Sequence, residues 1–176
     1  MHLSRVTDAT TEPITHEDVK SDLILTGTAD DTLIDGYIKS SRQFIENYAK
    51  VSLFTQTWQV LITPSELQTL NALPRSPIQE ITSVTWTDEE GVTTPVDPTD
   101  YRLAGDELIL LEYEDDGYYT ITYTAGFDDD DPTKVPEPFK IAIRIAATSH
   151  YENRESFVIP PGIRQLVGPL RRGRLP

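Results

Sequence analysis

The stretch Val135–Glu155 constrains the fold more than any other part of the chain. Two prolines open it, which suits the first turn of a helix, where a backbone N–H has no partner in any case. Apolar residues from Phe139 to Ala147 would cover most of a helix, so we expect a helix near 138–154 that is buried on nearly every side, by its own domain or by neighbouring subunits. The segment is too short and too charged to span a bilayer, which takes roughly 20 apolar residues. Its polar strip consists of Lys140, Arg144, Thr148, Tyr151 and Glu155.

Two further helices are predicted in the N-terminal third of the chain. Thr15 and Asp18 have the form of a capping box, which predicts a first helix that ends near Leu25. A second helix, Thr32–Ala49, carries its apolar residues on one half of its surface and is expected to lie at the surface of the protein. Its polar half consists of Asp35, Lys39, Arg42, Gln43, Glu46 and Lys50.

The hydrophobic period changes to two after the second helix. Alternation in Phe54–Ile62, Ile78–Thr87 and Tyr118–Ala125 predicts strands, and shorter segments between turns rich in glycine and aspartate predict others. Strands joined by such short turns form antiparallel sheets, sandwiches or small barrels. We therefore predict an α+β protein: a small helical bundle, an antiparallel β insertion near 53–125 and an extended C-terminal tail.

The same patterns predict the domain organisation. Residues 1–52 and 134–159 are expected to form a helical domain, in which 1–14 is an arm. Residues 53–126 would form an inserted β subdomain, and 160–176 a basic tail with a short helical turn around Ile163–Val167. No apolar run resembles a signal peptide, so we expect a protein that stays in the cytoplasm.

Charge is divided unevenly along the chain. The total is −14, yet residues 160–176 hold four arginines and no acid, which leaves 1–159 with a net charge of −18. A nucleic-acid-binding domain would present a basic face, so this division argues against DNA binding by the body. It is typical either of a soluble acidic domain with a frayed end, or of a body that repels DNA while its tail docks into an acidic groove of a partner.

Catalytic signatures are missing from the sequence. There is no cysteine, the three histidines have no metal-ligand spacing, and no phosphate-binding glycine loop occurs. The acidic run Asp128–Asp131 lacks the spacing of a calcium loop. We therefore expect no enzyme, metal or cofactor. Two alternatives stay open: a β-domain that recognises sugar or peptide through Trp58, Trp86 and Tyr101, and a hydrolase whose carboxylates nothing yet selects.

An ordered series of motifs resembles a known family. The series is similar to the head–tail connector (adaptor) proteins of long-tailed bacteriophages, prophages and gene transfer agents. In chain order it comprises Pro13-Ile14-Thr15, Gln56-Thr57-Trp58, Leu73-Pro74-Arg75-Ser76-Pro77-Ile78, Tyr123-Thr124-Ala125-Gly126-Phe127, Val135-Pro136-Glu137-Pro138, Tyr151-Glu152-Asn153-Arg154-Glu155, Pro161-Gly162, Leu166 and Pro169-Leu170-Arg171.

The resemblance implies a structural role in the neck of a virion, assembled in the host cytoplasm. Its members form a ring of about a dozen copies beneath the portal, closed by one repeated contact. The ring extends a channel through which DNA passes without specific binding, and it meets a stopper or tail terminator on its far side. The expected portal-binding residues are Ile163, Arg164, Leu166, Pro169, Leu170, Arg171, Arg172 and Arg174. The candidate ring contacts are Lys140, Arg144, Tyr151, Glu155, Arg42 and Glu46, and a plain solvated face is the alternative for each of the two helices.

Overall fold

The chain is an α+β protein that divides into two compact units. Its structure, a computed structural model, describes residues 1–70, 72–112, 114–127, 129, 131–154 and 160–171. The unit that we call the sheet unit comprises Met1–Ala9 and Phe54–Phe127. The unit that we call the helical unit comprises Thr10–Leu53 and Asp128–Pro176. Mixed helices and antiparallel sheets agree with the predicted fold class.

The described residues form seven strands, five α-helices and three short 3₁₀ segments. The helices are α1 (His16–Leu23), α2 (Asp31–Ala49), α3 (Pro64–Thr69), α4 (Glu137–Glu152) and α5 (Pro161–Val167). The strands are β1 (His2–Thr7), β2 (Gln56–Ile62), β3 (Ile78–Thr87), β4 (Thr93–Pro95), β5 (Tyr101–Ala104), β6 (Glu107–Leu110) and β7 (Tyr118–Ala125). The 3₁₀ segments are Pro98–Asp100, Pro132–Lys134 and Gly168–Leu170.

The sheet unit is built on a five-stranded antiparallel sheet and a separate β5–β6 hairpin. The strand order in the sheet is β1-β2-β7-β3-β4. Side chains alternate between its faces, so β2 and β7 each bury every second residue against one core. Full burial of one large apolar side chain contributes about 1.5–3 kcal/mol. The central residues of this core are Trp58, Val60, Ile62, Leu73, Val84, Leu108, Tyr119, Ile121 and Tyr123.

The helical unit is arranged around α4. This helix packs against α1, α2 and α5, and its alanines Ala142, Ala146 and Ala147 are fully buried at these contacts. Small side chains let helix axes approach closely. Helix α2 supplies Ile34, Ile38 and Ile45 to the same interior. Among the described residues, no helix is long and apolar enough to cross a membrane.

Capping boxes define the start of two helices. The backbone N–H of Thr15 donates to the Asp18 carboxylate at 2.8 Å, and the Asp18 N–H donates back to the Thr15 hydroxyl at 3.3 Å. The bond from the Thr15 backbone lowers the pKa of Asp18. Thr63 and Glu66 make the same box ahead of α3. The first box confirms the predicted start of α1, whereas α3 was not predicted.

One expectation from the sequence differs from the structure. The N-terminal residues are not an arm throughout, because β1 pairs with β2 and belongs to the sheet unit. The short helical turn expected around Ile163–Val167 is present as α5, and a 3₁₀ segment follows it. This chain alone does not bury α4 on nearly every side, because Ile141 and Ile145 remain 42% and 41% exposed, and cover by neighbouring subunits stays a prediction.

Gly126 lies where no side chain fits. Its φ is +141°, and a Cβ there would lie 2.1 Å from the Phe54 carbonyl oxygen. We predict that Gly126→Ala lowers the free energy of unfolding by about 3 kcal/mol, because backbone strain and a clash add. The control is Gly105→Ala, at φ +65° with open space around the Cβ, which should cost about 1 kcal/mol. Urea denaturation measures both values, and equal losses would contradict the role of the close contact.

Candidate assembly surfaces

The outer side of α4 exposes two large aliphatic side chains. Ile141 and Ile145 are one helical turn apart and project on the same side. Each is about two-fifths exposed, although the residues between them are buried or half-buried. We call this pair the α4 stripe. Two aliphatic side chains exposed one turn apart on the same side of a helix mark a surface suited to contact with another molecule. The ring contacts expected from the sequence do not include this pair, although the unbroken apolar pattern of the helix was the signal for it.

The polar strip of α4 is held by pairs within the helical unit. The Arg144 guanidinium forms a two-pronged ion pair with Asp22 of α1. This hydrogen-bonded carboxylate raises the pKa of Arg144. Lys140 lies 3.5 Å from Glu137. These two predicted ring contacts are thus half-exposed residues with partners in their own chain.

Tyr151 is similarly engaged at the end of α4. Its hydroxyl donates to the Asp30 carboxylate at 2.7 Å, and this bond raises the pKa of Tyr151. The Arg154 guanidinium lies 4.6 Å from the centre of the tyrosine ring, at cation–π distance. Glu155, the last ring contact expected on this helix, lies outside the described residues.

Arg42 and Glu46 are interior residues, which corrects their assignment to the polar surface of α2. Both are essentially inaccessible, at 0% and 2% exposure. The Arg42 guanidinium donates to Glu12 at 2.8 Å and to Glu46 at 2.9 Å. Glu46 also accepts the backbone N–H of Leu53 at 2.9 Å. This network, which we call the Arg42 cluster, fastens the segments before and after α2 to the helix, so neither residue is available for a subunit contact.

The predicted portal-binding segment is partly folded onto the helical unit. Ile163 is only 1% exposed, and Val167 is fully buried with it, because these residues form the face of α5 that packs on α4. Within this chain the Ile163 side chain is therefore an anchor of α5 and is not exposed, and its expected contact with the portal stays a prediction. Arg164 and Pro169 are exposed, and Leu166 and Leu170 are half-buried.

Arg171 is the last residue of this segment that the structure describes. It is exposed, and its guanidinium lies 5.5 Å from the centre of the Tyr48 ring of α2. A cation over an aromatic face at this distance gives a weak attraction, on the order of 0.5–1 kcal/mol at an exposed site. Arg172 and Arg174 lie outside the described residues. The structure thus brings exposed arginine and proline side chains to the end of a short anchored helix.

A histidine and two carboxylates meet at the start of α1 and α2. His16, Glu17 and Asp31 each direct one ligand atom into a space less than 4.8 Å across. The Lys20 ammonium already lies there, 2.9 Å from Glu17 and 3.0 Å from Asp31. These hydrogen bonds raise the pKa of Lys20, which stays charged. The lysine already neutralises both carboxylates, so the group is satisfied as an ion-pair cluster.

The aromatic residues proposed for sugar or peptide recognition do not form a binding platform. Trp58 is 6% exposed and lies beneath Arg75, whose guanidinium is 4.6 Å from the ring centre. Tyr101 packs against the same core. Trp86 is half-buried, and its indole N–H donates to the Asp116 carbonyl at 3.0 Å. Sugar stacking needs an open ring face, which Trp58 lacks.

Comparison with known proteins places this fold. A family model described as head completion protein matches residues 12–160. No curated protein matches the chain in sequence. Three solved structures share the fold over 100% of this chain and 98% of their own: the neck of an empty gene transfer agent particle computed with C6 symmetry (24% identity, TM-score 0.77), the virion of a native gene transfer agent particle (24%, 0.78) and the neck of a native particle computed with C12 symmetry (23%, 0.74).

The Arg42 cluster yields a stability prediction. Arg42→Met should lower the free energy of unfolding by about 3 kcal/mol, because it leaves two carboxylates without their cation and one of them is buried. The matched control is Arg144→Met, which breaks a half-exposed pair and should cost less than about 1 kcal/mol. Urea denaturation of both variants tests this. Similar losses in the two would show that burial of Arg42 carries no special weight.

Proposed function

This chain belongs to the head completion protein family, and we propose on that basis that it joins the head of a tailed phage-like particle to its tail. The ordered motifs of the sequence and the family match agree on this role. The single observation that carries the proposal is the match over 149 consecutive positions, residues 12–160, which includes both helical segments and the β segment between them. The protein would act in the virion neck as a structural component, without a catalytic step and without a cofactor.

A ring requires a surface through which neighbouring copies contact each other. Two of the similar neck structures were computed with C6 and C12 symmetry, which supports a ring of about twelve copies closed by one repeated contact. In this arrangement the helical unit forms the ring and the sheet unit is an insertion in it. The DNA channel would pass through the centre.

The α4 stripe is the surface that we assign to the contact between copies. Each copy carries a net charge of −14, so acidic surfaces brought together would repel. Ile141 and Ile145 contribute no charge, and the flanking Arg144 and Lys140 already have carboxylate partners. An aliphatic contact bordered by neutralised charges therefore gives attraction with little repulsion. On this proposal the α4 stripe, and not the polar strip, is the centre of the ring contact. Lys140, Arg144, Tyr151 and Glu155 lie at the margin of that contact.

The C-terminal segment is proposed to bind the portal. Helix α5 anchors it through Ile163, and the segment beyond carries the basic side chains. Arginine forms forked hydrogen bonds with carboxylates, so an acidic groove on the portal is the matching partner. The contact residues on this account are Arg164, Leu166, Pro169, Leu170, Arg171, Arg172 and Arg174. A stopper or tail terminator would bind the opposite side of the ring.

The ring contact leads to a prediction about assembly. The double variant Ile141→Glu, Ile145→Glu should prevent ring formation on the portal, because it adds two carboxylates per contact to an already acidic surface. Native mass spectrometry of the protein mixed with portal measures the number of copies bound. The matched control is Ile24→Glu, another isoleucine of the helical unit, almost fully exposed and outside the α4 stripe. Rings of the double variant equal to wild type would contradict the assignment.

The basic tail leads to a separate prediction. Replacing Arg171, Arg172 and Arg174 by glutamine should weaken portal binding about tenfold per copy, since three exposed charged pairs at roughly 0.5 kcal/mol each contribute about 1.5 kcal/mol together. A variant with lysine at the same three positions keeps the charge. Its affinity for the portal should lie between those of the wild type and the glutamine variant. Binding of the wild type should also weaken as salt rises, because exposed pairs are screened within about 10 Å at 0.1 M. Salt-independent binding, or a glutamine variant that binds normally, would remove the tail from the account.

A further inference from the structure

The outer edge of β6 in the β5–β6 hairpin has no strand neighbour among the described residues. Opposite residues in the hairpin run from Tyr101 and Leu110 to Ala104 and Glu107. Just beyond the strands, the Leu111 N–H donates to the Asp100 carbonyl at 2.8 Å. Hydrogen-bonded and non-bonded pairs alternate along an antiparallel ladder. Every second residue of β6, counted from Leu110, therefore turns its backbone N–H and C=O away from β5.

The outward groups belong to Leu108 and Leu110. Within the part of the chain that the structure describes, no hydrogen bond to their backbone N–H or C=O is found. At the turn end of the same edge, Leu73 donates to the Asp106 carbonyl at 2.7 Å, so that position is already taken. Buried or half-buried backbone groups are nearly always paired in folded proteins. The open part of the edge therefore consists of Leu108 and Leu110. Their outward backbone groups have the spacing that pairing with another strand requires.

A small groove, lined mostly by apolar residues, runs beside this open edge. Its volume is about 160 Å³. Pockets for drug-sized ligands usually measure roughly 300–1,000 Å³, so this one has the size for an aliphatic side chain or two. The groove lies between α3 and β6 in the sheet unit. It is lined by Pro64, Leu67, Gln68, Leu70, Glu107, Leu108, Ile109 and Leu110.

Charge around the groove selects the type of partner. Among the described residues of its lining, Glu107 alone is charged, and it is exposed. Residues 54–127 as a whole hold 13 acidic and two basic side chains. A basic segment would therefore be attracted and an acidic one repelled. The chain's own basic segment, 160–176, contains four prolines, which cannot donate to a strand ladder, so it fits poorly.

We propose that the β6 edge and its groove bind an extended segment of a partner protein by strand addition. The segment would pair its backbone with Leu108 and Leu110 and place an aliphatic side chain against Leu67 and Leu70 of α3. Lysine or arginine at the flanking positions would meet Glu107. Main-chain bonds supply the attraction in such complexes, and the alternate side chains supply the specificity. This site goes beyond the proposed neck role and does not depend on ring formation.

The test uses the full chain and a synthetic probe. The probe is an acetylated, amidated heptapeptide of alternating lysine and valine, and its control has the same sequence with N-methylated valines. Both peptides carry equal charge, but the control lacks the N–H groups that a strand needs. We expect calorimetry to show binding of the probe and at least about tenfold weaker binding of the control. Equal binding of the two peptides would overturn the proposal, because charge alone would then explain it.

Two variants locate the binding at the edge. Leu110→Pro removes an outward N–H and leaves the bonds to β5 intact, whereas Leu110→Val keeps the N–H. The proline variant should bind the probe at least about tenfold more weakly, and the valine variant within about twofold of wild type. A proline variant that binds normally would contradict strand addition at this edge.

Hydrogen exchange measures binding on the wild-type chain, so the result does not depend on how a substitution affects folding. The probe should slow exchange at the amides of Leu108 and Leu110 and leave Ile109, which already bonds to Arg102, unchanged. Slow exchange at these two amides without the probe, increasing with protein concentration, would show that a second copy of the chain occupies the edge. That result would overturn the proposal of a different partner protein. A failure of these experiments would leave the family membership and the ring proposal untouched.

Discussion

Helix α4 is the element on which the helical unit depends. Helices α1, α2 and α5 all pack against it, and its row of buried alanines makes those contacts close. Three neighbours do not surround a helix completely, so a sequence that is apolar on nearly every side must leave some apolar surface uncovered. That remainder is the α4 stripe, Ile141 and Ile145. On the proposed assembly, α4 would serve both the packing of one chain and its contact with neighbouring copies.

The hydrophobic pattern of the sequence predicted most helices and strands, but it did not predict the burial of every side chain. Alternation identified β2, β3 and β7, and the Thr15 capping box marked the start of α1. The pattern failed for Arg42 because it assigns a face by residue type, while burial of Arg42 depends on Glu12, thirty residues earlier in the chain. Pairing of β1 with β2 likewise joins segments about fifty residues apart. Helix α3 could have been predicted, since Thr63 and Glu66 form the same capping signal as Thr15 and Asp18.

The candidate contact surfaces were harder to predict than the fold. Polar residues of α4 were reasonable ring contacts from sequence, but Arg144 and Tyr151 are held by Asp22 and Asp30, more than 100 positions away. Only the folded chain shows which side chains are already engaged. Once those pairs are accounted for, the uncharged stripe of α4 stands out against an acidic protein. The division between an acidic body and a basic C-terminal segment is a property of the sequence itself.

The central claim is that copies of this chain form a ring on a portal through the helical unit. Electron microscopy of the purified protein mixed with purified portal tests it most directly. We predict a ring of about twelve copies seated on the portal, with α4 of each copy facing its neighbour and the basic segment directed at the portal. Single copies scattered on the portal, or a ring in which α4 faces solvent on every copy, would contradict the account.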